Sequence, residues 1–118
     1  MKEKELKART KQYALRIIRL VQSLPKGRIE QEIGRQLLRA GLSVGANYRS
    51  ACRAKSGADF VAKMAVVEEE ADESRYWLEL LVEAKLMEAK RLEPLIKESD
   101  EIIAIVVSSI KTARDGRA

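Results

Sequence analysis

Histidine is absent from this 118-residue chain. With it go the commonest general base, the commonest zinc ligand and every Ser-His or Cys-His pairing for nucleophilic catalysis. The single cysteine, Cys52, excludes an intramolecular disulfide and a thiolate cluster, and among small neighbours it reads as a packed, reduced thiol. Aromatic residues make up only 4%, with six glycines and two prolines, which argues against an all-β sandwich or barrel. The longest apolar run, positions 102–107, is six residues, far short of the ~20 that cross a bilayer. The N-terminus lacks the charged, apolar and small-residue regions of a signal peptide. The expectation is a cytoplasmic protein without a membrane segment. Glycines 27, 34, 41 and 45 are too dispersed to cradle a phosphate, and no zinc finger, homeodomain or aromatic RNA-recognition motif is present.

What remains is the makeup of long helices: Ala, Leu, Ile and Val interleaved with Glu, Lys and Arg. The length suits one domain over residues 1–118. Leu6, Thr10, Tyr13, Ile17, Leu20 and Leu24 repeat every 3.5 residues, one face of a helix over about 3–23, closed by Pro25 and Gly27. A second helix, about 28–55, has the seam Ile29, Ile33, Leu37, Ala40, Val44, Asn47 and Ala51. Its interior Gly34, Gly41 and Gly45 each weaken it by roughly 1 kcal/mol relative to Ala, which close approach of another helix would offset; a kink near 41–45 is the competing explanation. Ser56 and Asp59 have the Ser-x-x-acid form of a helix start, and Phe60, Met64, Val67, Ala71, Ser74, Leu78 and Leu81 carry a third helix, about 58–87. A fourth, about 90–113, tolerates Pro94 in its first turn and has the seam Leu95, Ser99, Ile102, Val106, Ile110. Short connections make successive helices antiparallel neighbours, so the fold class is all-α: an up-down-up-down four-helix bundle with short loops.

Two features exceed what a bundle needs. Six consecutive apolar residues at 100° each encircle the fourth helix, so Ile102, Ile103, Ile105, Val106 and Val107 are the candidate surface for self-association. Tyr76 and Trp77 are candidate packing or interface anchors. Charge is also sorted along the chain. Residues 1–56 carry a net +10 and residues 57–118 a net −5. Either basic and acidic helices pair with each other, or the basic half faces outward and binds nucleic acid through phosphates. In the second case the phosphate contacts would be Lys4, Lys7, Lys11, Arg16, Arg19, Arg35, Arg39, Arg49 and Arg53.

The acidic run Glu68, Glu69, Glu70, Asp72, Glu73 invites a di-iron reading, but those sites take Glu-x-x-His pairs from two helices, and the first two helices offer only Glu3, Glu5, Glu30 and Glu32. No metal and no cofactor are expected, and a carboxylate metalloenzyme is the third reading only. Asn47, on the second seam, is expected to be a buried amide making a register-fixing hydrogen bond, with Glu73 as its partner.

The stretch Gln36-Leu37-Leu38-Arg39-Ala40-Gly41-Leu42-Ser43-Val44-Gly45-Ala46-Asn47 resembles the second-helix signature of the bacterial four-helix-bundle family named for proteins encoded in intervening sequences of 23S rRNA genes. Glu68-Glu69-Glu70-Ala71-Asp72-Glu73-Ser74-Arg75-Tyr76-Trp77-Leu78-Glu79-Leu80-Leu81 is similar to its third-helix signature, and Ser108-Ser109-Ile110-Lys111 to its fourth-helix ending. The resemblance spans about residues 10–113. It implies a homopentameric barrel of bundles without catalytic activity. It is also similar to the accessory variability protein of diversity-generating retroelements, which implies nucleic acid and a reverse transcriptase as partners. Where many relatives carry Pro and a following Ile-Ala-Glu, this chain has Gly45 and then Tyr48-Arg49-Ser50, a locally more basic helix. The functional expectation is a non-enzymatic homo-oligomer that binds RNA or DNA through the basic surface of its first two helices. The alternative is a scaffold whose charge split serves only subunit contacts.

Overall fold

Each of the four periodic stretches becomes a helix in the computed structural model, which describes residues 1–116; residues 117 and 118 of the expected domain lie outside the described residues. The helices are α1 (Glu3–Gln22), α2 (Arg28–Ala51), α3 (Gly57–Glu83) and α4 (Ala89–Arg114), and there is no strand among the described residues. They form an antiparallel four-helix bundle measuring 47 × 21 × 20 Å. α3 packs along both α2 and α4, α1 lies against α2, and the α1–α4 contact is slight.

Boundaries differ from the periodicity at two places, each for a local reason. α2 stops at Ala51 rather than near Lys55, because Ser56 adopts extended backbone (φ −162°, ψ 170°) and its hydroxyl accepts the Asp59 amide hydrogen at 3.1 Å to start α3. Arg53 and Ala54 close that corner with tight bonds to the carbonyls of Ser50 and Ala51. α3 stops at Glu83 rather than near Met87, because Lys85 turns left-handed (φ 59°) and the Leu86 amide returns to the Leu81 carbonyl at 2.9 Å. Without a glycine at that position, the stop carried no sequence signal. Pro94 is the sixth residue of α4, in its second turn rather than its first, and the backbone acceptor it leaves open belongs to exposed Lys90.

α2 runs unbroken through its glycines. A Cβ on Gly41 would come within 2.8 Å of Ile17, one on Gly34 within 2.9 Å of Leu24, and one on Gly45 within 3.3 Å of Thr10. The small residues therefore admit α1 at close range, and the kink does not occur. The core they help to close is centred on Tyr13, Ile17, Leu37, Val44, Met64, Val67, Leu78, Leu81, Leu92, Ile102 and Val106, all fully buried.

The buried polar groups are not the expected pair. Asn47 is half-buried, and its amide donates to the Ser43 carbonyl of its own helix at 2.8 Å. Glu73 is half-buried as well and bonds Arg39 and the Trp77 indole rather than Asn47. The enclosed polar side chains are the hydroxyls of Thr10, Tyr13, Ser74 and Ser99. Thr10, Ser74 and Ser99 satisfy themselves on carbonyls one turn back, and the Tyr13 and Ser99 hydroxyls share a hydrogen bond of 2.6 Å. Burial pushes the Tyr13 phenol above its ordinary pKa.

The apolar run of α4 divides in the same way. Ile102 and Val106 are fully buried and cannot meet another subunit, which corrects their assignment to an interface. Ile103 and Ile105 are half-buried, and Val107 remains 45% exposed. The 3.5-residue seam already claims the first two for the core, so only the rest of the run is left over.

Candidate nucleic-acid interface

Whether the basic surface is available depends on which cations the acidic helices neutralise. Three arginines bridge helices. Arg9 of α1 grips Glu98 of α4 with two parallel bonds of 2.7 and 2.8 Å and reaches Glu101 at 2.6 Å. Arg39 of α2 contacts Glu70 at 3.2 Å and Glu73 at 2.5 Å on α3. Arg75 of α3 pairs with Asp100 of α4 and with Glu79 one turn on. These contacts hold the Arg9, Arg39 and Arg75 guanidiniums above their ordinary pKa and the Glu73 carboxyl below its own. Glu70 and Glu73, central to the acidic run, are thus turned towards an arginine. Among the described residues no group of three or more Cys, Asp or Glu side chains is placed to hold a metal ion.

The nine candidate phosphate contacts separate accordingly. Arg39 is engaged across α2 and α3. Arg35 is paired with Glu32 at 2.7 Å, and Lys7 more loosely with Glu3 at 3.4 Å, each within its own helix. Lys4, Lys11, Arg19, Arg49 and Arg53 are exposed and Arg16 half-buried, and none of the six has an ion-pair partner among the described residues.

Antiparallel packing gathers the free cations at opposite ends of the rod. The start of α1, the end of α2 and the start of α3 meet at one end, around a groove of about 520 Å³ lined by Lys7, Ala46, Arg49, Ser50, Arg53 and Lys63. At the other end a smaller groove of about 220 Å³ brings Arg16 and Arg19 beside Arg91 of α4, over Leu20, Leu92 and Leu95. Lys63 and Arg91 belong to the acidic half of the chain, so linear charge counting missed them. Only the antiparallel fold brings them to basic partners.

A third hollow, about 490 Å³, opens where α1 and α4 part, and Leu6, Tyr48, Phe60 and Ile105 are among its lining residues. On the acidic flank Tyr76 is 53% exposed and meets the edge of Trp77, ring centroids 5.1 Å apart. The indole is held by its bond to Glu73 at 3.1 Å. Cys52 is half-buried, and burial raises its thiol pKa, the opposite of an activated nucleophile. No helix among the described residues is long and apolar enough to cross a membrane.

A family model described as 23S rRNA-intervening sequence protein matches residues 2–108. A crystal structure of a protein of unknown function from the S23 ribosomal protein family of Bacteroides thetaiotaomicron is similar, with 37% sequence identity and a TM-score of 0.86. The match covers 95% of this chain and 100% of that one. A search of curated proteins finds no match.

Proposed function

The chain belongs to the 23S rRNA-intervening sequence protein family, and from that premise we propose a non-enzymatic, self-associating bundle that binds nucleic acid through its phosphates. The observation that carries this reading is the selective use of ion pairs. Arg9, Arg39 and Arg75 hold the helices together, while Lys4, Lys11, Arg16, Arg19, Arg49 and Arg53 are left without acidic partners among the described residues. A basic surface without a base-reading motif attracts any phosphodiester backbone, and its affinity falls steeply with salt. Fluorescence anisotropy of labelled RNA and DNA at low salt tests it. Binding to both, with little dependence on sequence, is the expected result, and Lys4→Glu with Lys11→Glu weakens it.

A second reading, assembly alone, is favoured by the apolar and aromatic surface that stays uncovered. Val107 and Tyr76 are exposed, and Ile103 and Ile105 half-buried. The five-fold ring implied by the family resemblance would bury such residues. It would also repeat the basic surface around an axis and strengthen its field. If the charge split serves only subunit contacts, salt dissociates the oligomer and the Lys4 and Lys11 reversals weaken assembly instead of nucleic-acid binding.

A further inference from the structure

The two basic grooves are not equivalent, and the larger has the chemistry of a phosphate subsite. We propose that the groove between the start of α1, the end of α2 and the start of α3 holds consecutive phosphates of a nucleic-acid backbone, with Arg49 and Arg53 as the principal ligands. This rests on the nucleic-acid reading above and assigns it to a place. Three helices supply Lys7, Arg49 and Lys63 to the lining, the corner between α2 and α3 adds Arg53, and no carboxylate lines it. Arg49 and Arg53 are exposed and unpaired among the described residues, so their guanidinium forks are free for two-pronged contacts to phosphate oxygens. The Ser50 hydroxyl lies between them in sequence and lines the same space, a neutral donor to the same oxygens.

Lys7 and Lys63 are tethered to Glu3 at 3.4 Å and to Asp59 at 2.8 Å, each one turn back on its own helix. Such pairs within one helix are weak and screened by salt, so an arriving phosphate competes with them readily. A volume of about 520 Å³ is many times the ~30 Å³ share of one water, which leaves room for phosphates and the waters that bridge them. The groove at the other end is less than half that volume and is floored by Leu20, Leu92 and Leu95, and its one hydroxyl, that of Ser23, already donates to the Leu20 carbonyl at 2.7 Å.

The test is a titration of a fluorescein-labelled single strand and its duplex, between 50 and 200 mM salt, with inorganic tripolyphosphate as competitor. Wild type is compared with Arg49→Ala/Arg53→Ala and, as a charge-matched control on exposed positions of α4, with Lys90→Ala/Lys97→Ala, helicity being checked by circular dichroism. On this proposal the first variant loses about tenfold or more in affinity at 50 mM salt. Its log–log salt slope for duplex becomes shallower by about 1.8, since each phosphate contact contributes about 0.9. The second variant stays within about twofold of wild type, and tripolyphosphate competes only weakly. Wild-type affinity in the Arg49→Ala/Arg53→Ala variant overturns the groove while leaving the nucleic-acid reading intact. Tripolyphosphate binding as tight as that of the oligonucleotide overturns the backbone assignment in favour of a free polyphosphate. No binding by wild type removes the groove proposal together with the reading it rests on.

Discussion

The Tyr13 phenol on α1 and the Ser99 hydroxyl on α4 share a 2.6 Å hydrogen bond with both side chains wholly buried, close to the grip of Arg9 on Glu98. These two contacts tie together helices that otherwise touch little. Tyr13→Phe removes one partner and leaves Ser99 its bond to the Leu95 carbonyl, so a loss of about 0.5–1.5 kcal/mol is expected. Ser99→Ala leaves a small void and takes from the phenol its closest partner, and about 1–3 kcal/mol is expected. Urea unfolding of both variants checks the order.

Gly41 and Gly57 should respond oppositely to alanine. At Gly41 the new methyl meets Ile17 at 2.8–2.9 Å, and the resulting overpacking, about 1–3 kcal/mol, outweighs the gain of about 1 kcal/mol in helix propensity. At Gly57, the first residue of α3, nothing lies within 4 Å, so Gly57→Ala is neutral or stabilising by up to about 1 kcal/mol. Thermal melts of the two variants should move apart.

Adjacent valines on α4 separate folding from association. Val106 is fully buried, so Val106→Asp places a carboxylate in the core and lowers stability by roughly 4 kcal/mol or more. Val107 is 45% exposed, and Val107→Asp keeps the helical signal while shifting a self-associated species to smaller mass by light scattering. Unchanged mass for a folded Val107→Asp protein excludes this side of α4 from the interface.

Without histidine, stability should be nearly flat from about pH 5 to 8. The Glu73 carboxyl is held below its ordinary pKa, chiefly by Arg39, so its stabilisation is present above the unfolded value of about 4.3 and is lost as pH falls through the lower folded value. At the alkaline end burial raises Cys52, Tyr13 and Tyr48. These groups ionise first in the unfolded chain, so stability declines from about pH 8.5–10 upwards. Urea midpoints from pH 3 to 11 should trace that plateau, and Arg39→Ala should blunt its acid edge.

The helices were legible because their seams repeat: Tyr13 and Ile17, Val67 and Ala71, Ile102 and Val106 all fall on the expected faces and are buried. Asn47 misled for the opposite reason. It lies just beside its seam, where its amide can return to its own helix at Ser43 instead of crossing the core. The residues that do cross, Tyr13 and Ser99, are 86 positions apart in sequence. No local pattern pairs them. The candidate site was legible as an excess of positive charge but not as a place. Arg39 looked like its neighbours until α3 supplied Glu70 and Glu73, and Lys63 lay in the acidic half until α2 and α3 brought it beside Arg49 and Arg53.

The central claim, that the unpaired cations of α1, α2 and the corner after α2 meet phosphate, is tested most directly by the salt dependence of wild-type binding to a duplex. With Lys4, Lys11, Arg49 and Arg53 each meeting one phosphate, affinity should fall about 10²-fold between 50 and 200 mM salt, along a log–log slope near −3.6. Absence of binding at 50 mM salt, or an affinity indifferent to salt, would contradict the claim.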